Sequence, residues 1–325
     1  FRRLPPPLLG RQRREGACLK PRTTALCALL AALRDRHYTF ITPTPATHAR
    51  VLANRAAQHA ENLRDIFGWS LPFSADALDP ELRLLLSDTE ILEEHGAALR
   101  SGVRVSSLDG DLFAHSAYPT SASDAVFFGP DSYRFARFLQ QELPLLPPRS
   151  RLVDIGAGSG VGAIVAMRIT QAPAVLTDIN PLALNFAAAN WAHAATNVEA
   201  DFIACDALSG VEGPIDCIIA NPPYIADPAH RAYRDGGDMR GGAVSLAWAR
   251  EAAQRLERGG AFLLYTGSAI VGGDDKLKVA LYEALDGFDI SYREIDPDVF
   301  GEELEREDYA GVERIAVVGL MAVKR

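Results

Sequence analysis

The chain has 325 residues, 48% of them hydrophobic, and a formal net charge of −9. That length suits one large domain or two ordinary ones with a full core, and no apolar run approaches the ~20 residues of a membrane-spanning helix. The acidic balance disfavours nonspecific binding to a long duplex. Four cysteines, Cys18, Cys27, Cys205 and Cys217, lack C-x-x-C spacing, so neither a disulfide framework nor a metal site is expected and a reducing, cytoplasmic location is.

The chain starts at Phe1, and its first methionine is Met167. Residues 1–22 are basic, with Arg2, Arg3, Arg11, Arg13, Arg14, Lys20 and Arg22 against Glu15. Pro5, Pro6 and Pro7 oppose a helix there, and a disordered tail is expected. Residues 23–120 read as a smaller first domain. Apolar residues recur at helical spacing over 23–36 behind a threonine cap. A second helix is expected over 47–66, and shorter ones over 81–86 and 90–99. The period then changes: 103–108 alternates, Asp109-Gly110 is a hairpin turn, and 112–118 answers it. Helices followed by a hairpin predict a winged-helix-like module that docks substrate, contacts RNA or caps a neighbouring site. His37, His48, His59, His95 and His115 show no ligand-like spacing.

Residues 121–325 read as a second domain of alternating strands and helices. A Gly-Pro turn at Gly129-Pro130 opens an amphipathic helix. Leu152, Val153 and Ile155 then form a short buried strand. Gly156, Gly158, Gly160 and Gly162 follow at once, and a helix runs on from Ala163. Strand, glycine turn and helix make a nucleotide-type loop: glycine lets backbone approach a ligand, and the helix start offers unpaired N–H groups. Gly158-Ser159-Gly160-Val161-Gly162-Ala163 fits the dinucleotide fingerprint, with Asp178 about 20 residues on. A second reading begins at Asp154, as Asp-x-Gly-x-Gly-x-Gly. Further strands are expected at 174–178, 198–204, 215–220, 260–266, 288–295 and 314–323, with helices from Asn180-Pro181, over 243–258 and over 276–285. This is a doubly wound α/β sheet, and its last two strands, with no helix between them, predict an antiparallel edge hairpin.

Directly after the 215–220 strand comes Asn221-Pro222-Pro223-Tyr224. Ligands bind beyond the carboxyl ends of strands in such sheets. Two prolines fix φ and remove two N–H donors, so the turn presents acceptors, the Asn221 side-chain oxygen and the Pro222 carbonyl, beside the flat ring of Tyr224. That set suits a planar –NH2 group.

Asp154-Ile-Gly-Ala-Gly-Ser-Gly160, Asp178, Asp206 and Asn221–Tyr224, in this order, resemble the class I S-adenosylmethionine-dependent N-methyltransferases of the small-domain superfamily, over roughly residues 125–325. The resemblance implies a Rossmann-like sheet with an antiparallel last strand and S-adenosylmethionine as cofactor. It implies Asp154 near the methionine ammonium, Gly156, Gly158 and Gly160 in the cofactor loop, Asp178 with Ile179 at the ribose, and Asp206 with Ala207 at the adenine. Phe128, ahead of the first strand, would line the same pocket. Asn221, Pro222 and Tyr224 would carry the chemistry. The Asn-Pro-Pro-Tyr-Ile-Ala-Asp form looks most like the glutamine N5-methyltransferases of release factors and ribosomal proteins, which implies a protein glutamine amide as acceptor. Adenine and guanine amino methyltransferases acting on RNA or DNA share the motif and give the alternative, for which Arg100, Arg104, Arg134 and Arg137 offer a basic rim and Phe127, Phe128 and Tyr233 an aromatic face. A catalytically silent cofactor-binding scaffold is the third reading.

Overall fold

The computed structural model describes residues 21–88, 92–194, 197–227, 231 and 233–325. Of the tail expected over 1–22, residues 1–20 lie outside the described residues, while Pro21 and Arg22 belong to the first helix. Helix α1 (Pro21–Asp35) buries Leu26, Leu29, Leu30 and Leu33, a stripe at helical spacing. The helix expected over 47–66 is two elements. In α2 (Pro45–Asn54) the Thr44 side chain caps the first turn, and α3 (Leu63–Phe67) starts afresh at the Asn62 cap. Helix α4 (Pro80–Asp88) follows. The helix expected over 90–99 is instead a hairpin of β1 (Leu92–His95) and β2 (Ala98–Ser101), because Gly96 takes φ +63° and turns the chain back.

Strands β3 (Val103–Leu108) and β4 (Asp111–Ser116) pair across Asp109 and Gly110, both at positive φ, as the Asp-Gly turn predicts. This hairpin is not a projecting wing. Leu112 and Ala114 are buried in a cluster shared with α1 and with Phe186 and Ala189, two residues of a helix of the α/β layer. Arg104 is also buried, donating to the Gly68 carbonyl and bonded to His48 Nδ1. His48 and His115 are packing residues of this core.

Helix α5 (Pro130–Glu142) leads into β5 (Leu152–Ile155), α6 (Val161–Thr170), β6 (Ala174–Asp178), α7 (Pro181–His193), β7 (Ala200–Ala204) and β8 (Ile215–Ala220). Then come α8 (Ala243–Arg255), β9 (Leu256–Val271), the short β10 (Asp274–Asp275), α9 (Lys276–Ala284), β11 (Phe288–Asp296) and β12 (Arg314–Lys324). The sheet order is β11-β12-β9-β8-β5-β6-β7, with β10 pairing onto β9. Strands β7, β6, β5, β8 and β9 run parallel, and β12 is antiparallel to both β9 and β11. The last two strands form the expected antiparallel pair at the edge of the sheet, with β12 beside β9 and β11 outermost. Apart from Asp154 and Asp216, central strands β5 and β8 carry apolar residues on both faces, as strands covered by helices on both sides must. Order reverses at β5, whose neighbours β6 and β8 lead in opposite directions, and this switch point opens a crevice at the strand ends.

Asn190 of α7 ties the layers together. Its Oδ1 accepts from Ala114 N at 2.8 Å, and its Nδ2 donates to the carbonyls of Ala114 and Ser159 at 3.0 and 2.8 Å, all buried. Asn190→Ala strands these groups and is expected to cost about 2–4 kcal/mol, from ~1–3 kcal/mol per buried unsatisfied group. Urea unfolding checks this, and an unchanged midpoint would show that the freed groups find other partners.

Candidate active site

The strand ends meet at a cavity of about 880 Å³. One wall is the loop after β5. Gly156, Gly158 and Gly160 take φ of +64°, +55° and +78°. A Cβ on Gly156 would lie 2.5 Å from the Trp248 ring, whereas one on Gly158 would meet nothing nearer than a carbonyl at 4.0 Å. Gly158 therefore leaves open space toward the cavity, and Gly156 admits Trp248 of α8. Gly160 serves packing, since a Cβ there would come 3.1 Å from Ala187.

Two carboxyl groups hold this loop. Asp154 is buried, and its Oδ2 accepts from Ala163 N at 2.8 Å, bracing the start of α6. Burial, with the Asp178 charge adding to it, pushes its carboxyl up to about 8. Asp178 closes β6; its Oδ2 accepts from Gly158 N at 2.9 Å and its Oδ1 from Asn180 N at 2.8 Å. Burial raises this carboxyl as well. Each Asp178 oxygen keeps a further lone pair, and the residue lines the cavity. Ile179 is 61% exposed beside it. Asp206 is exposed at the same wall, and Ala207, with φ +42°, is buried behind it. Phe128, expected here, is instead in the core against Phe113, His115 and Tyr133. The segment is extended, so consecutive side chains point to opposite sides, and Phe127 is the residue that lines the cavity.

The opposite wall is Asn221–Tyr224, directly beyond β8. Tyr224 is seated among glycines. Added Cβ atoms would come 2.2 Å from its ring at Gly267, 2.2 Å from its carbonyl oxygen at Gly241 and 2.7 Å from its Cα at Gly236. The 233–242 loop thus braces the turn, helped by hydrogen bonds between Ile225 and the backbones of Arg234 and Gly236. Only 6% of Tyr224 is exposed, and Phe300 packs on it at 5.8 Å between centroids, so the ring offers little open face for stacking. Its hydroxyl is buried beside the Asp131 carboxyl, and burial, with that charge adding to it, pushes the phenol well above its ordinary range. Tyr265 bonds Asp131 at 2.9 Å. Phe127 stacks on Tyr233 at 5.9 Å, and Tyr233 donates to the Thr120 carbonyl.

The described lining carries the carboxyl groups of Asp131, Asp154, Asp178, Asp206, Asp235, Glu251, Glu302 and Glu303 against the guanidinium groups of Arg231 and Arg234. Arg231 makes a forked pair with Asp227 at 2.7 and 2.8 Å, and Arg234 pairs with Glu303. None of the four arginines expected as a basic rim is among the lining residues: Arg104 is buried, Arg134 is paired with Asp296 at 3.0 Å, Arg100 donates to the Ser70 and Tyr118 carbonyls, and Arg137 is exposed away from the lining. Among the described residues no His, Cys, Asp and Glu cluster has metal-binding geometry, and no helix is long and apolar enough to cross a membrane. Trp248, Asp131, Phe300, Glu302 and Glu303 were not singled out from sequence. Each stands far along the chain from the motifs or inside a segment that reads as core.

Strand order and strand-end site define a Rossmann-like sheet with a ligand crevice at its switch point. Residues 126–271 match the family model of the methyltransferase small domain. Similar curated proteins include the release factor glutamine methyltransferase of Deinococcus radiodurans, 35% identical over 132 residues, which are 36% of this chain and 45% of that one. The ribosomal RNA small subunit methyltransferase C of Hahella chejuensis is 39% identical over 127 residues, 39% of this chain and 33% of that one. The chain thus spans less than half the length of these two relatives. Among solved structures, the tRNA m1G37 methyltransferase of M. jannaschii is similar with a TM-score of 0.48 and 18% identity, over 71% of this chain and 60% of that one.

The buried Asp154 carboxyl sets a pH dependence. Its folded value of about 8 lies above the ordinary 3.8. The folded state therefore holds a proton that the unfolded state releases, and stability falls as pH rises through that window. Asp154→Asn keeps an oxygen for Ala163 N and removes the titration. Thermal melts of the ligand-free protein are expected to decline from pH 4 to pH 8 in the parent and to flatten in the variant; parallel profiles would refute the assignment.

Proposed function

We propose that the chain is an S-adenosylmethionine-dependent N-methyltransferase acting on a planar amino group, foremost a protein glutamine side-chain amide. One observation carries this: the Asn221–Tyr224 turn and the glycine loop with Asp178 face one cavity from adjacent strands.

The residues present fit the cofactor. The open side of Gly158 leaves room for a ligand against the backbone, and the spare lone pairs of Asp178 suit two ribose hydroxyls. Asp206 is exposed for an adenine amino group, with Ile179 and Ala207 as apolar flanks. Asp154, tied to α6, acts on an ammonium group through the loop that it braces. When bound, the cofactor supplies an electrophilic methyl group. The protein's task is to present a nucleophilic nitrogen.

An amide nitrogen is a poor nucleophile because its lone pair is delocalised into the carbonyl. The Asn221 side-chain oxygen and the Pro222 carbonyl accept its two N–H bonds, which draws the nitrogen toward tetrahedral geometry and localises the lone pair. No strong base is required if the proton leaves to water after transfer. Pro222 and Pro223 hold the acceptors still, so the rate gain comes from position. An exocyclic base amine is the second reading, favoured by the stacked Phe127 and Tyr233 at the cavity and by the ribosomal RNA relative. The paired state of both lining arginines weighs against it, because polyphosphate binding draws on Lys and Arg contacts.

Titration calorimetry is expected to show binding of S-adenosylhomocysteine and none of NAD; the reverse result ends this reading. Asn221→Ala is expected to cut turnover by about 10²–10³-fold, as loss of one preorganised hydrogen-bonding group does, while cofactor affinity holds. Labelled methyl transfer into cell extract separates the acceptors: label that survives protease but not nuclease treatment would place it on nucleic acid.

A further inference from the structure

The linker between β11 and β12 lies outside the segment that matches the methyltransferase small domain, yet it builds part of the cavity wall. Phe300 and Glu302 line the cavity, and the Phe300 ring meets Tyr224 at 5.8 Å and 58°. The linker is anchored. Glu303 pairs with Arg234 and, at 2.6 Å, with Arg306. Ala226 N donates to the Tyr309 oxygen at 2.8 Å, and Arg240 donates to the Ala310 carbonyl at 3.1 Å. Arg234, Ala226 and Arg240 belong to the chain that continues from the Asn221–Tyr224 turn, so the wall and the turn hold one position relative to each other.

The charge around this wall is one-sided. The guanidinium groups of the described lining, Arg231 and Arg234, are committed to Asp227 and Glu303, while Glu302 is exposed at the mouth. A phosphate chain gains its affinity from cations that displace its counterions, and here it meets a carboxylate instead. A cationic peptide meets attraction at the same place. Phe300 beside Tyr224 offers an apolar strip that suits the methylene stem of a side chain.

We propose that this linker selects the acceptor: Phe300 takes the stem of the acceptor side chain, and Glu302 takes a Lys or Arg that the same polypeptide carries next to its target amide. The proposal rests on the methyl-transfer reading above and adds the chemistry of the partner.

Calorimetry on the full chain loaded with S-adenosylhomocysteine tests it, using short peptides with a single Gln flanked by Lys, by Ser or by Glu, and an oligoribonucleotide of similar length. The Lys-flanked peptide is expected to bind about two- to fivefold tighter than the Ser-flanked one, the range of a single exposed charge pair. The Glu-flanked peptide binds more weakly, and high salt narrows the spread. Glu302→Lys inverts the order of the Lys and Glu peptides. Phe300→Ala weakens all three peptides alike and leaves S-adenosylhomocysteine affinity and Tm in place. Equal affinity for the three peptides, an order untouched by Glu302→Lys, or tighter binding of the oligoribonucleotide overturns the proposal and leaves the methyl-transfer reading standing. Failure of S-adenosylhomocysteine to bind removes that reading, and this proposal with it.

Discussion

The acceptor side of the site depends on the seat of Tyr224. Three glycines from two separate stretches, Gly236 and Gly241 in the loop and Gly267 in β9, leave no room for a Cβ where Tyr224 passes. The two preceding prolines have fixed φ, so placing Tyr224 also places the Pro222 carbonyl and the Asn221 side chain.

The cofactor side is organised by the opposite economy. Its carboxyl groups are spent first on backbone N–H groups: Asp154 on the start of α6, Asp178 on the glycine loop and the turn into α7. Local shape is thereby set before any ligand arrives. Burial raises both carboxyl groups, and the Asp178 charge adds to the shift at Asp154.

Legibility in the sequence follows the range of the interactions. The glycine loop, Asp178 and the Asn221–Tyr224 turn were readable because each is a short pattern at a strand end. The sheet class was readable from alternating apolar runs. The break between α2 and α3 hangs on one capping residue, Asn62, inside a stretch rich in helix formers. The β1–β2 hairpin hangs on Gly96. Phe127 and Phe128 are adjacent and chemically identical, and only the direction of an extended backbone decides which meets the cavity. Trp248 against Gly156, and Glu303 against Arg234, join residues tens of positions apart, and no local spacing encodes such pairs. The antiparallel pairing of β11 with β12 was readable from the absence of a helix between them, whereas the seating of β12 rather than β11 next to β9 is a property of long-range pairing.

That placement bears on how the molecule is made. Strand β11 leaves the ribosome before β12 but must end up outside it, with β12 as its neighbour in the finished sheet. Until β12 arrives, β11 has nothing to pair with and β9 presents an open edge, the kind of surface that seeks other chains. Non-local pairings of this sort form late and slowly. The stretch joining the two strands, which carries Phe300 and the Tyr309 anchor, can take its place only after that insertion. The wall that Phe300 adds beside Tyr224 therefore waits on a pairing between distant strands, whereas the glycine loop after β5 is built from neighbouring chain.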